Sequence, residues 1–322
     1  MFPKPFFLKL NDIVPANLWL KVEGVNNTGS IKFKTAVNLL EAAEELGHLQ
    51  PGMEVIESSS GNLGAALAAV CAQKGYRFRC VVDPNTSAQN IKVMQAFGAS
   101  VKLVRQQDEN GGYLGSRIKF IEQYLLKNPG TYWTNQYQNS ANPAAHSRFT
   151  ATEILDSFDN IDVLVIGAGT TGTLMGCIDL FARESPHTRI LAVDSVGSVT
   201  FGQVPKKRYI PGLGTSQMPP IFDRSKVPDY IFVPEVDAVR RCRWLARSHG
   251  YLAGGSTGTV LAGLCATDIP MTSDMTVVAI SPDGGEKYID TIYDDAWVAD
   301  KFDYVLDDDY SPQKHQNADA KG

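Results

Sequence analysis

The chain reads as an α/β protein: mostly parallel β-sheets flanked by helices on both faces. Three observations predict this. Short runs rich in β-branched residues alternate with helical runs, many of them closed by glycine. Such alternation marks βαβ units, in which a crossover helix returns the chain to a parallel strand. The 322 residues, 43% of them apolar, suffice for a large core and usually divide into two lobes. Loops rich in glycine, serine and threonine fall where strands end and helices begin, the place where such folds bind ligands.

The first helix opens at residues 26–34, Asn-Asn-Thr-Gly-Ser-Ile-Lys-Phe-Lys. This polar turn runs into an amphipathic series, Ala36, Val37, Leu39, Leu40, Ala43 and Leu46. Lys32 therefore begins a helix, beside the partial positive charge of its N-terminus and partly out of water. Both effects disfavour the ammonium and leave a nucleophilic amine, which is what a Schiff base needs. A solvated lysine is the plain alternative at such a position. Next, strand residues Val55 and Ile56 lead through Glu57-Ser58-Ser59-Ser60-Gly61-Asn62-Leu63-Gly64 into a helix over 65–70. Free backbone N–H groups and hydroxyls at a helix start form a carboxylate cradle. Strand 77–82, helix 88–97, strand 100–104 and helix 113–126 follow. The buried strand 163–166 then ends in Gly167-Ala168-Gly169-Thr170-Thr171-Gly172-Thr173, where glycine lets a phosphate approach and threonines add donors. For each loop, an ordinary strand-to-helix turn with a good cap is the bland alternative. Helix 174–183, strands 189–194 and 229–233, helices 236–248 and 257–266, and strand 275–281 complete the alternation.

Composition narrows the function without choosing it. The formal charge of −5, with no basic stripe, argues against nucleic acid as the main partner. Arg240, Arg241, Arg243 and Arg247 share one helix, where helical spacing spreads them over a solvent face. The apolar runs are too short for a membrane span, and residues 1–10 lack a signal-peptide core. Cys71, Cys80, Cys177, Cys242 and Cys265 stand singly in apolar segments, as reduced, buried thiols of a cytoplasmic protein do. Five scattered histidines offer no metal constellation; His146 alone lies near a motif.

In their order, the three loops resemble the fold-type II pyridoxal-phosphate enzymes, the cysteine synthase and cystathionine β-synthase family with its two-lobed, tryptophan synthase β-like fold. Lys21, Glu23, Asn26, Gly29, Ser30 and Lys32 match its Lys-x-Glu-x-x-Asn-x-x-Gly-Ser-x-Lys pattern. Ser60, Gly61, Asn62 and Gly64 match its Ser-Gly-Asn-x-Gly, and the Gly/Thr loop follows. The likeness runs from about Pro5 to Val298. It implies a large cofactor-binding lobe at 1–35 and 144–306, a small mobile lobe at 36–143, and a homodimer. The polar stretch 307–322 reads as a disordered tail.

The resemblance implies pyridoxal 5′-phosphate as cofactor, held by Lys32, which would also take the substrate α-proton. Lys34, two positions on, points elsewhere on the helix. Where the family usually has Asp after the lysine, this chain has Phe33, a departure that alters lobe contacts. Asn62 should meet the ring's 3′-oxygen; Gly169, Thr170, Thr171, Gly172 and Thr173 the phosphate; and Ser256 the pyridine nitrogen. Ser256 can also be read as the N-cap of helix 257–266. The substrate carboxylate should lie on Ser59, Ser60, Gly61 and Asn62, with Gln136 opposite. Tyr137 is a candidate for the acceptor pocket, its alternative being core packing. Arg117 is a candidate for a substrate anion, its alternative being a surface arginine on an amphipathic helix; Arg148 and Arg208 are weaker anion candidates. Residues 210–216, Ile-Pro-Gly-Leu-Gly-Thr-Ser, read as a loop that closes over substrate.

Further motifs point to one branch of the family: Cys80-Val81-Val82-Asp83-Pro84, 111–114, 132–137, 211–216, 253–258 and 287–293. That branch supplies 2,3-diaminopropionate to siderophores and peptide antibiotics. It implies O-phospho-L-serine as donor and L-glutamate as amine nucleophile, giving N-(2-amino-2-carboxyethyl)-L-glutamate. Leu63, where cysteine synthases usually carry Thr, favours it. Cysteine synthase, using O-acetylserine and sulfide, is the second reading. A non-catalytic binding relative is the third, opposed by the intact Lys32, Asn62 and phosphate loop.

Overall fold

The computed structural model describes residues 2–108 and 112–302. The 307–322 segment, expected as a tail, lies outside them. The chain opens with β1 (Phe6–Leu10) and β2 (Asn17–Val22), an antiparallel pair. Asn26 then builds a turn: its side-chain oxygen accepts from the Thr28 backbone N–H at 3.0 Å, and its NH₂ donates to Glu23 O and Ser30 O. Gly29 closes that turn at φ +68°, a conformation glycine adopts without strain. Helix α1 (Lys32–Glu45) begins three residues later, so Lys32 is its first residue.

There follow β3 (Glu54–Ser58), α2 (Asn62–Lys74), β4 (Arg77–Val82), α3 (Ala88–Ala96), β5 (Ser100–Leu103), α4 (Leu114–Lys127) and β6 (Thr131–Trp133). Their strands form a parallel four-stranded sheet in the order β5-β4-β3-β6. α1 and α2 pack with this sheet, burying Phe33, Leu39, Leu40, Leu67, Val55 and Phe78 in one apolar cluster.

Next, α5 (Ala141–Ala145), a π-helical turn over His146–Ala151 and α6 (Thr152–Leu155) run on as one helix. β7 (Val163–Gly167), α7 (Gly172–Glu184), β8 (Arg189–Ser195), β9 (Asp229–Val233), α8 (Glu235–His249), α9 (Gly255–Ala266), β10 (Thr276–Ser281) and α10 (Asp295–Phe302) complete the chain. The second sheet has the order β1-β2-β10-β7-β8-β9, parallel except at β1. Its two faces carry separate cores: Leu18, Val165, Val193, Leu261 and Val277 on one side, Leu164, Ile166, Leu174, Phe181 and Ile280 on the other. Alternate residues of β7 serve opposite faces, as the strand period requires.

The arginines of α8 depart from expectation. Arg241 and Arg243 are buried rather than spread over a solvent face. Arg243 donates to Ile292 O at 2.8 Å and pairs with Asp295, clamping α8 to the chain before α10. All five cysteines are free; four are buried and Cys265 is half-buried. Burial pushes the thiols of Cys71, Cys80, Cys177 and Cys242 up to about 12, which keeps them protonated and inert. Among the described residues no helix is long and apolar enough to cross a membrane.

Candidate active site

A cleft of about 360 Å³ is lined by Lys32, residues 59–63, Gln136, residues 209–212, and Lys287, Tyr288 and Thr291. The connections that feed it include β2 to α1, β3 to α2, β4 to α3, β6 to α5, the 209–212 loop, and the chain after β10. Lys32 faces this cleft from the first turn of α1. Burial lowers its ammonium to about 8 from an ordinary 10.5, with no carboxylate acting to restore it. Its Nζ lies 3.4 Å from Thr170 Oγ1, on the loop after β7.

Lys34 points away. Its Nζ meets Glu23 at 2.9 Å and Glu153 at 2.5 Å, and Lys21 joins the same two carboxylates at 3.2 and 2.5 Å. The Lys-x-Glu motif thus builds a buried ion cluster outside the cleft.

The β3–α2 loop places Ser59, Ser60, Gly61 and Asn62 on the cleft wall. Ser59 Oγ accepts from the Gly64 N–H at 3.0 Å, capping α2. The backbone N–H groups of Ser60, Asn62 and Leu63 make no bond to other described residues, so they are open to an anion. Gln136 completes the wall: its Nε2 donates to Ser58 O at 3.4 Å. Both segments are tied to buried Glu57, which accepts from Ser58 N at 2.6 Å, Thr134 Oγ1 at 2.5 Å and Gln136 N at 3.1 Å. Burial raises the Glu57 carboxyl pKa, and these donors oppose the rise.

The β7–α7 loop is a second cradle. Thr171 sits at φ +66°, turning the chain into α7, and the N–H groups of Gly169, Thr170 and Thr171 make no bond among those described. Gly172 and Thr173 add the unpaired N–H groups of a helix start. Glycine at 172 is a packing necessity, since a Cβ there would lie 2.1 Å from Asn142 Oδ1. Thr173 Oγ1 lies 3.3 Å from His146 Nε2, and that ring also meets Thr35 at 3.0 Å and Thr150 at 3.1 Å. Burial, with the charges of Lys32 and Lys34, holds His146 well below its ordinary pKa, as a neutral imidazole.

Ser256 is buried in the first turn of α9 and is not its cap, a place taken by Gly254. Its hydroxyl is 2.9 Å from where a Gly212 Cβ would stand, so it lies directly beneath the 209–212 loop. A Cβ on Gly169 would in turn meet Gly212 O at 2.5 Å, which ties Ser256, this loop and the second cradle together.

Arg117 and Tyr137 lie outside the cleft lining. Arg117 is buried rather than a surface arginine, with Asp83 3.5 Å away, and its Nε and Nη1 make no hydrogen bond. Tyr137 is half-buried, and Arg117 is close enough to oppose the rise that burial imposes on its phenol pKa. Arg148 pairs with exposed-side Glu41 at 2.9 Å, and Arg208 donates to Gly197 O inside its own loop.

Residues absent from the site reading are equally central. Asp283 Oδ2 accepts from Asn62 Nδ2 at 2.8 Å and from Tyr288 OH at 2.6 Å. Lys287 Nζ donates to Asn62 Oδ1 at 2.8 Å. The 287–293 motif was the available signal for Lys287, but nothing local ties it to residue 62.

The chain is similar to known proteins along most of its length. Residues 6–283 match the family described as "Pyridoxal-phosphate dependent enzyme". N-(2-amino-2-carboxyethyl)-L-glutamate synthase of Ralstonia nicotianae is 41% identical over 292 residues, 90% of this chain and 86% of that protein. The same-named synthase of Cupriavidus metallidurans is 39% identical, over 88% and 84%. Among solved structures, O-ureido-L-serine synthase superposes with TM-score 0.82 at 32% identity, covering 95% of each chain. Cysteine synthase of Entamoeba histolytica gives TM-score 0.83 at 30% identity, over 90% and 88%.

Proposed function

The chain belongs to the pyridoxal-phosphate-dependent enzyme family as a β-replacement enzyme, and on that premise we propose that it joins O-phospho-L-serine to L-glutamate. The products are phosphate and N-(2-amino-2-carboxyethyl)-L-glutamate, a step toward 2,3-diaminopropionate. The observation that carries the site is the pair of helix-start loops with open N–H groups beside Lys32, an amine without a counter-ion. The 41% likeness to a synthase of this name, and Leu63 on the cleft wall, support the choice of substrates.

The residues present fit the cofactor: open N–H groups at 169–173 suit a phosphate, and the Ser256 hydroxyl has no described partner. When bound, pyridoxal phosphate supplies an electron sink for an amino acid's α-carbon, which lets a β-substituent depart. Lys32 Nζ would hold the group covalently, and the same amine would take the proton from the donor's Cα. Ser60, Asn62 and Leu63 would receive the donor carboxylate on their open N–H groups, with Ser59, Gly61 and Gln136 beside them. Ser256 would face the ring nitrogen with a neutral hydroxyl, which would favour an unprotonated ring, a modest sink that suits loss of a good leaving group. Arg117, with two unmade N–H bonds, would receive the departing phosphate once Tyr137 and its lobe close. In this reading 36–143 moves as the small lobe against 1–35 and 144–306, the 210–216 loop closes over substrate, and the protein works as a homodimer.

Mass spectrometry of products from O-phospho-L-serine with a panel of amino acids tests the reading. The expected adduct forms with glutamate and more slowly from O-acetylserine. Efficient cysteine formation from sulfide, with no amino-acid adduct, would replace it with cysteine synthase.

A further inference from the structure

We propose that Lys287 is a positioning residue that fixes the side-chain amide of Asn62, and thereby sets the protonation of the bound cofactor's phenolic oxygen. Asn62 opens α2 on the cleft wall, and a terminal amide there could present either its oxygen or its NH₂. The two faces have opposite effects on a phenolic oxygen. An N–H donor stabilises the phenolate, whereas a carbonyl acceptor stabilises the neutral hydroxyl.

Lys287 removes the ambiguity. An ammonium can only donate, and Lys287 Nζ reaches Asn62 Oδ1 at 2.8 Å. A second N–H goes to Thr28 O at 3.2 Å, which anchors the ammonium on the turn before α1. The other end of the amide is held as well: Nδ2 donates to Asp283 Oδ2 at 2.8 Å, and Tyr288 OH fixes that carboxylate at 2.6 Å. Asp283 uses one of the two N–H groups and leaves the other for a ligand. Burial lowers the Lys287 ammonium from its ordinary value, and the carboxylates of Asp283 and Glu286 oppose that fall.

The clamp also joins two parts of the chain 225 residues apart. Asn62 starts a helix of the four-stranded sheet, while Lys287 and Asp283 follow the last strand of the six-stranded one. Orientation of the amide is therefore set by the approach of the two sheets.

The inference rests on the cofactor and on Asn62 meeting its phenolic oxygen, not on which amino acids react. The test accordingly uses the holoenzyme without substrate. Its absorption separates the neutral-hydroxyl form, at short wavelength, from the phenolate form at long wavelength. Lys287→Met should shift the ratio of the two bands roughly tenfold toward the neutral form, the scale of one charge-assisted hydrogen bond. Lys287→Arg, which still donates, should restore the wild-type ratio. A Lys287→Met protein with full cofactor and an unchanged ratio would overturn the proposal, whatever its activity with any substrate. Should that variant fail to fold or to hold cofactor, a crystal structure of the wild-type holoenzyme decides: Lys287 Nζ within hydrogen-bond reach of the Asn62 amide supports the proposal, since only its oxygen can accept from an ammonium, and Lys287 turned away from Asn62 sinks it.

Discussion

Lys32 and Lys34 stand two residues apart at the start of one helix, yet they occupy opposite chemical worlds. Lys32 looks into the cleft, has a threonine hydroxyl at 3.4 Å, and is lowered to about 8 by burial alone. Lys34 is buried against Glu23 and Glu153, with Lys21 completing a four-charge cluster. Desolvation acts on both sides of the helix; the carboxylates stand on one side only. A buried amine with counter-ions is a structural cation, whereas one without them is a nucleophile in waiting. Helix geometry makes the difference possible, since positions two apart face away from each other.

The largest expected effect follows directly. Lys32→Ala should lose roughly 10³-fold or more in turnover, and borohydride reduction of the wild-type holoenzyme should leave the pyridoxyl group on Lys32. Peptide mapping that placed it on Lys34 would erase the distinction. Stability should respond in the reverse order. Lys34→Met strips a buried cluster of one cation and should cost about 3 kcal/mol in denaturant unfolding, because two carboxylates keep their burial with less compensation. Lys32→Met, which removes an uncompensated amine, should cost little or nothing by the same measurement. Equal losses in the two variants would mean that the carboxylates at Lys34 contribute nothing specific.

The smallest effect is a matter of pH. Only the neutral amine attacks an aldehyde, so capture of pyridoxal phosphate by the apoprotein should accelerate with pH to a midpoint near 8. The sign of the linked stability is fixed too. From about 8 up to 10.5 the unfolded chain retains a Lys32 proton that the folded chain has released, so this residue makes apoprotein stability rise with pH across that window. Below the folded value both states hold the proton, and the penalty of burying it is present in full. A capture midpoint near the ordinary lysine value would show that Lys32 is solvated.

Much of this was legible in the chain before any coordinates. Strand and helix alternation anticipates β4, β5, β7 to β10 and their helices to within two residues. That accuracy has a physical source: the inner parallel strands β7, β8 and β10 are buried along most of their length and so read as nearly continuous apolar runs. Lys32, the 59–62 segment and the Gly/Thr loop carry local signals because backbone conformation and helix starts are local properties. The antiparallel pairing of β1 with β2 has no tight turn between the strands to announce it. Arg241 and Arg243 read as solvated because periodicity locates a helix face without saying what packs on it. Asp283 and Glu57 are equally silent, since their importance lies in partners 221 and 79 positions away. Long-range polar clamps leave no periodic trace.

The π-helical turn at His146–Ala151 has a consequence for chain length. Such a turn is what one inserted residue looks like within an α-helix. Deleting a single residue from it would restore ordinary α spacing and leave the chain downstream in phase, because the wide turn has already absorbed the extra residue. Glu153, two residues beyond the turn, would then keep its hold on Lys21 and Lys34. The same deletion from a continuous helix such as α1 would rotate everything beyond it by about 100°, so this stretch should tolerate the loss of one residue far better than α1 does.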